Sequence, residues 1–285
     1  MSSSGESIFS QAESCQNKIF RTNSNTINAA ELFIRSAQLF KINRNFARAG
    51  EAYERAYLCY KEGSNDEMAF SNIKKSIDMY CRQESTIDKA INLFIIAIEI
   101  AKGKEELFQA ADLLMQYSTL LSEKGNKKES EDCKKEASTL YSKCGAMGNS
   151  AQSLEEMGDS LSERGDYLES GKCYNQVAKI RLNSRLTQLG SGSHFLKSVL
   201  CFLAGSDCVR AKRELAAYLY LNPGFSVSQE YEFSNRLILA YENADTQRIK
   251  AEFDSWNRYH HIDKWMADIQ AKIYEEVENE NIGIL

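Results

Sequence analysis

The chain has 285 residues, a formal net charge of −5 and a single proline. A chain of average composition would carry about 14 prolines, so their near-absence favours long helices joined by short turns. The acidic balance argues against a general nucleic-acid-binding protein, which needs a basic face.

Near the N-terminus, apolar residues recur on one face of a predicted helix over about residues 6–18. The next stretch, residues 17–27 (NKIFRTNSNTI), is rich in Asn and Thr, and this composition predicts a loop. Helical periodicity resumes at Asn28, so a second helix is expected to begin there.

The rest of the chain is organised around residues 45–56 (NFARAGEAYERA). Segments of the same pattern begin at residues 86, 126, 166 and 207, a spacing of 40 or 41 residues. The fifth residue of every segment is Ala or Ser, which lets a neighbouring helix come close, and the ninth is large and apolar except at Lys134. A fixed period near 40 residues is typical of helical-repeat solenoids.

Each repeat is predicted to hold two helices, the second of which starts at the segment described above. The first helices are predicted at about residues 28–41, 67–82, 105–123, 148–164 and 192–204. Residues 183–193 are polar and contain two glycines, which predicts an irregular connection. The only proline ends the repeats, and three further helices are predicted at about 228–243, 246–259 and 263–278.

The sequence therefore predicts an all-α protein, a tetratricopeptide-like, right-handed helical-hairpin solenoid with a C-terminal helical bundle. We assign residues 1–222 to the solenoid, with the loop at 17–27 near its start. Residues 223–285 are assigned to a helical cap that ends in an acidic tail.

The sequence contains no recognisable catalytic constellation. The patterns HExxH, GxSxG, GxxxxGK[ST] and GxGxxG are absent. The adjacent His260 and His261 would point in different directions on a helix, which makes a poor metal site. Carboxylates occur in charge-mixed helices, which is typical of solvated faces. We therefore expect no enzyme activity, no metal, no cofactor and no small-molecule substrate.

The compartment is predicted to be the cytoplasm. The first residues lack the basic and apolar regions of a secretory signal. The longest apolar run, residues 93–100, is interrupted by Glu99 and falls well short of the ~20 residues that span a bilayer. The eight cysteines form no CxxC pair, which suits reduced thiols. Any membrane contact is therefore expected to be peripheral.

Four stretches carry a resemblance to a known family. They are NFARAGEAYERA (45–56), DKAINLFIIAIEI (88–100), LNPGF (221–225) and IDKW (262–265). In unbroken order from about residue 6 to the end, the chain resembles the soluble NSF attachment proteins, the SNAPs. The LNPGF stretch looks like the gamma branch and IDKW looks like the alpha branch, so the paralogue stays open.

The resemblance implies a mechanical adaptor and not a catalyst. Members of the family dock a hexameric AAA+ ATPase, NSF, onto assembled, syntaxin-containing SNARE bundles, so that ATP hydrolysis can pull the bundles apart in vesicle fusion and protein transport. It also implies peripheral attachment at the cytosolic face of secretory or vacuolar membranes. The family's membrane-contacting loop falls on Lys18, Ile19, Phe20 and Arg21. Apolar tips flanked by basic residues suit an anionic bilayer, and the alternative is that Ile19 and Phe20 fold back onto the second helix.

The resemblance also places acidic contacts for the ATPase at the C-terminal end. A leucine at or next to the terminus, which the family needs to stimulate ATP hydrolysis, matches Leu285, and one family acidic position is Asn243 here. The alternative is a solvated helix end and a disordered terminus. The residues assigned to the ATPase contact are Asp207, Glu242, Glu275, Glu276, Glu278, Glu280 and Leu285.

The basic face that grips the acidic SNARE bundle departs from the family pattern. Two lysines of alpha-type members correspond to Asp112 and Gln152 in an ungapped reading. The alternative for the remaining basic residues is ordinary surface charge. The residues assigned to the SNARE contact are Lys179, Arg181, Arg185 and Lys197.

A generic tetratricopeptide scaffold is the competing interpretation. A peptide-clamping scaffold would present inward Lys, Arg and Asn on successive first helices. Those helices here carry mostly Ala, Leu, Phe and Ser, which disfavours a clamp. An enzyme of unfamiliar type is a third hypothesis, for which the sequence offers no site.

Overall fold

A computed structural model describes residues 2–17 and 23–283, and these ranges form 14 α-helices, three short 3-10 helices and no strand. The first seven helices are α1 (Ser2–Gln16), α2 (Asn23–Ile42), α3 (Phe46–Glu62), α4 (Asp66–Tyr80), α5 (Ile87–Gly103), α6 (Leu107–Glu123) and α7 (Lys127–Lys143). The others are α8 (Met147–Glu163), α9 (Tyr167–Leu182), α10 (Ser191–Ala204), α11 (Cys208–Leu221), α12 (Gln229–Glu242), α13 (Thr246–Asn257) and α14 (Lys264–Gly283).

The chain divides into two compact units, Met1–Tyr117 and Ser118–Leu285. In the first unit, each helix from α1 to α4 packs on the next one along the chain. In the second unit, α7 to α13 follow the same order, and α14 packs on α10 and α13. Packing between consecutive antiparallel helices confirms the predicted all-α helical-hairpin fold.

The predicted boundary between residues 222 and 223 stays a prediction. One hydrophobic cluster of the second unit contains residues on both sides of it, among them Phe195 and Leu215 before the boundary and Phe233 and Ile269 after it. The last three helices therefore share a core with the helices that precede them.

The five predicted segment starts are the residues immediately before α3, α5, α7, α9 and α11. At two of them a side-chain oxygen accepts from the backbone N–H three residues on, at 3.3 Å for Asn45 and 2.9 Å for Asp207. These bonds satisfy helix N–H groups that have no partner within the helix. The residue before each of these two caps has a left-handed backbone, with φ of 55° at Arg44 and 59° at Ser206.

The small residues of the repeat lie where helices approach most closely. Gly50, in the organising segment, faces the ring of Tyr80 so closely that a Cβ there would lie 2.5 Å from a ring carbon. The hydroxyl of Ser76 donates to the carbonyl oxygen of Gly50 at 2.8 Å. The fifth residues of all five segments are buried, as the pattern predicts: Ala49, Ala90, Ser130, Ser170 and Ala211.

Two predicted boundaries differ from the structure. Helix α2 already begins at Asn23, within the predicted loop at 17–27. Thr26 is buried on the same helix as Ala29 and Ala30, so packing against neighbours overrides the loop preference of Asn and Thr. The acidic tail also continues as helix to Gly283, beyond the predicted end at 278.

Candidate interaction surfaces

Two of the predicted basic contacts are held by carboxylates one turn apart on α8. Nη2 of Arg181, at the end of α9, lies 2.6 Å from Oε2 of Glu155. Nζ of Lys197, on α10, lies 3.6 Å from Oδ1 of Asp159. Both basic side chains are about one-third exposed, so their charges are partly neutralised within the protein while solvent still reaches them.

Glu155 is the centre of a small charged cluster. Its Oε1 lies 3.0 Å from Nε2 of His194, whose Nδ1 lies 2.9 Å from the carbonyl oxygen of Gly190. Burial alone would raise the pKa of Glu155, but the hydrogen bond with His194 and the charges of His194, Arg181 and Lys197 outweigh it and lower that pKa below its ordinary value.

Lys179 is paired in a similar way. Its Nζ lies 3.5 Å from Oε2 of Glu214 on α11, which also accepts from Nδ2 of Asn175 at 2.6 Å. Burial raises the pKa of Glu214, but these partners and Arg213 lower it overall. Arg185 differs, because it is exposed and forms no ion pair among the described residues.

Two leucines beside Arg185 are almost fully exposed. Leu186 and Leu189 lie in the connection between α9 and α10, where their exposed fractions are 94% and 93%. Residues 183–193 contain no carboxylate. From its composition, this stretch was predicted only to be a polar connection. Two leucines three residues apart in a segment that interrupts the helices are the sequence feature that could have indicated an exposed apolar surface.

The connection between α11 and α12 also exposes apolar side chains. Gly192, at the start of α10, lies against Phe225 of the 3-10 helix Pro223–Val227. Around that helix, Tyr220 and Val227 are both strongly exposed. We call Leu186, Leu189, Tyr220 and Val227 the apolar end of the second unit.

Three of the predicted acidic contact residues lie at or beside α11. Asp207 caps the helix. The adjacent Ser206 donates its hydroxyl to Oε2 of Glu276 on α14. Lys212, one turn further along α11, lies 2.7 Å from Oε1 of Glu242 at the end of α12. Asp207, Glu242 and Glu276 are far apart in sequence but each lies at or beside α11, and we call them the acidic region.

The remaining acidic candidates lie along α14. Nζ of Lys272 lies 2.9 Å from Oε2 of Glu275 and 2.7 Å from Oε1 of Glu276. The hydrogen bond from Lys272 lowers the pKa of Glu276, with Ser206 adding to the effect. Glu278 is exposed and without an ion pair in the described part of the chain.

Other predicted site residues fall where the structure gives no contacts. Lys18, Ile19, Phe20 and Arg21 lie outside the described residues, as do Leu285 and the side chain of Glu280.

The two positions that the resemblance aligns with family lysines are both exposed. Asp112 accepts from Gln116 at 2.9 Å, and Gln152 donates to Glu156 at 3.1 Å.

Within residues 2–17 and 23–283, no group of three or more His, Cys, Asp or Glu side chains is arranged to hold a metal ion. The helices in those ranges include none long and apolar enough to cross a membrane.

Comparison with known proteins decides the family. A family model described as soluble NSF attachment protein matches residues 3–278. The chain belongs to the soluble NSF attachment protein family. The match includes both units, and it contains the 45–56 and 262–265 stretches on which the resemblance was based.

Relatives agree with this assignment. The alpha-soluble NSF attachment protein of Saccharomyces cerevisiae is 25% identical over 90% of this chain and 81% of its own length. The vesicular-fusion protein SEC17 of Komagataella phaffii is 26% identical over 88% of this chain and 85% of its own length. The mouse alpha-soluble NSF attachment protein is 30% identical over 38% of this chain and 36% of its own length.

Proposed function

We propose that this chain is a SNAP-type adaptor that binds SNARE complexes and recruits and stimulates the NSF ATPase for their disassembly. Membership of the soluble NSF attachment protein family over residues 3–278 is the observation that carries the proposal. The relatives' names, which refer to NSF attachment and vesicular fusion, support a role in vesicle fusion and protein transport.

The acidic region around α11 is the proposed ATPase contact. Asp207 caps α11, Glu242 of α12 pairs with Lys212, and Glu276 of α14 accepts from Ser206. Exposed carboxylates attract basic patches on a partner through contacts that salt weakens. Glu275, Glu278, Glu280 and Leu285 would extend this surface along α14 and the tail.

The SNARE contact is proposed to combine charge with apolar area. Arg185 is exposed and beside Leu186 and Leu189, and these two leucines can bury their side chains against a helical bundle. Lys179, Arg181 and Lys197 already have counter-ions, so an acidic bundle would replace the carboxylates that now hold them. Weak single contacts then add up when several copies surround one bundle.

Membrane attachment is proposed to be peripheral, on the cytosolic face of secretory or vacuolar membranes, through Lys18, Ile19, Phe20 and Arg21. Two apolar tips bind a bilayer weakly, so the loop would chiefly raise the local concentration of the adaptor near membrane-anchored bundles.

The test is a disassembly assay with purified bundle, NSF and this chain. Wild type should drive ATP-dependent disassembly, and Leu285→Ala should bind the bundle but stimulate poorly. Phe20→Ser should lose activity only when the bundles are in liposomes. Ile42→Ala, at an exposed apolar position of α2, is the control and should behave as wild type. If wild type neither recruits NSF nor supports disassembly, the generic scaffold is the better account.

A further inference from the structure

Trp265, the tryptophan of the IDKW stretch, anchors the first turn of α14 to the second unit. Its indole N–H donates to Oγ of Ser162 near the end of α8 at 2.6 Å. Its ring meets the buried ring of Tyr174 on α9 edge-on, with centroids 5.8 Å apart. One side chain therefore fastens α14 to two other helices.

Lys197 of α10 completes this anchor. Its Nζ lies 5.0 Å from the ring centroid of Trp265 and 4.9 Å from that of Tyr174. The same Nζ lies 3.6 Å from Oδ1 of Asp159, which also accepts from the hydroxyl of Tyr174 at 2.5 Å. An ammonium beside aromatic rings is attracted by their quadrupoles, so the Lys197 charge contributes to holding Trp265 in place.

Lys197 is also one of the residues proposed to meet the acidic SNARE bundle. The ammonium of Lys197 is partly exposed, and a carboxylate of an acidic partner attracts it away from Asp159. When the ammonium moves toward the partner, its distance to both rings grows and the cation–π attraction weakens.

We propose that Lys197 is a shared residue, which couples the binding of an acidic helical bundle to the attachment of the first turn of α14, with Trp265 as the positioning residue. The inference rests on the proposed function and adds a regulatory link between the SNARE surface and the start of α14. When the bundle binds Lys197, the ammonium no longer contacts the ring of Trp265. Residues 264–268 are then attached less firmly to the second unit. The rest of α14 stays packed through Ile269, Ile273 and Val277, which lie in the core cluster.

The coupling is reciprocal. A partner that holds α14 in its docked position keeps Lys197 beside Trp265 and lowers the affinity for the bundle by the same factor.

Hydrogen–deuterium exchange of residues 262–270 in the full chain tests the proposal. It is measured with and without saturating assembled SNARE bundle for wild type, Lys197→Gln and Lys179→Gln. Lys179 is the matched control, because it pairs with Glu214 and faces the ring of Tyr218 instead of the rings of Trp265 and Tyr174. Both lysines are partly exposed, so both variants should fold.

In wild type, we expect the bundle to raise exchange of this segment about threefold, as loss of one cation–π contact would. Lys197→Gln should show the raised exchange without bundle and no further rise with it. Lys179→Gln should bind more weakly but respond like wild type at saturation.

Four results would overturn the coupling. Bundle binding to wild type without a change in exchange refutes it and leaves the adaptor function standing, as does an equal response of both variants. Unchanged exchange in unliganded Lys197→Gln shows that the lysine does not hold the anchor. No binding of the bundle to wild type at any concentration removes the proposed function and the coupling together.

Discussion

At the scale of single residues, Gly50 marks a contact that allows no side chain. A Cβ at this position would lie 2.5 Å from the ring of Tyr80, whose hydroxyl is fixed by a 2.7 Å bond to Glu54. The ring therefore cannot retreat easily. We expect Gly50→Ala to lower the free energy of unfolding by roughly 1–3 kcal/mol.

The matched change is Gly148→Ala, on α8, where an added Cβ meets nothing within 4 Å. It should raise the free energy of unfolding by about 0.4–1 kcal/mol, because alanine restricts the unfolded chain. Urea unfolding of the two variants measures both effects. Equal stability of Gly50→Ala and wild type would show that the repeat tolerates a wider helix separation.

Leu186 and Leu189 are the second residue-level case. Because they are almost fully exposed, replacing both with serine should change the free energy of unfolding by less than about 0.5 kcal/mol. The same double change should weaken SNARE-bundle binding about tenfold, since two apolar side chains lose their burial in the complex. Binding is measured by fluorescence anisotropy of a labelled bundle.

Ile42→Ser, which changes an exposed apolar residue of α2, is the control and should leave the affinity unchanged. If the double variant binds as tightly as wild type, the apolar end does not contribute to the SNARE contact.

At the scale of the helix, Asp207 has two separable roles. It caps α11 through a 2.9 Å bond to the N–H of Arg210, and it is a proposed ATPase contact. Asparagine caps as well as aspartate, so Asp207→Asn should keep the stability and lose only the charge. Asp207→Ala should lose the cap and about 1 kcal/mol of the free energy of unfolding.

Comparing the two variants separates folding from binding. Both should weaken NSF binding in a pull-down on immobilised bundles, and only Asp207→Ala should lower the melting temperature. If Asp207→Asn recruits NSF as well as wild type, the aspartate serves the helix alone.

Glu155, which links α8 to α9 and α10, predicts that the stability of the fold depends on pH. The pKa of Glu155 is lowered in the folded protein, so its ionised form stabilises the fold above the unfolded pKa of about 4.3. This stabilisation is lost as the pH falls through the lower, folded pKa. Glu155→Gln should therefore be less stable than wild type at pH 6, and the difference should shrink below about pH 4.

Urea unfolding across pH 3–6 measures this difference, with Glu278→Gln as the control at an exposed glutamate. A gap between Glu155→Gln and wild type that stays constant across this range would show that the carboxylate charge does not stabilise the hairpins.

At the scale of the whole molecule, the repeat predicted much of the fold. The five segment starts fall on the residues before five helices, because the cap residues and small core residues of each hairpin recur at one period. The predicted start of α2 was wrong, because the burial of Thr26 depends on packing that local composition does not show. The same limit applies to Gly50, whose role depends on a tyrosine 30 residues away in sequence.

The candidate surfaces were less predictable than the helices. Charge type identified Lys179, Arg181 and Lys197, but their counter-ions on α8 and α11 come from distant segments, so the sequence could not show that they are already paired. The apolar end was missed for a related reason. Residues 183–193 were predicted only to be a polar connection, and the near-complete exposure of Leu186 and Leu189 depends on the fold.

The central claim is that this chain joins a SNARE bundle to NSF, and the most direct measurement is ternary-complex formation. Purified bundle, NSF and the chain are mixed with a non-hydrolysable ATP analogue and separated by size-exclusion chromatography at low and high salt. We expect NSF to elute with the bundle only when the chain is present, and we expect high salt to dissociate the complex. If NSF never elutes with the bundle at any concentration of the chain, the adaptor function is contradicted.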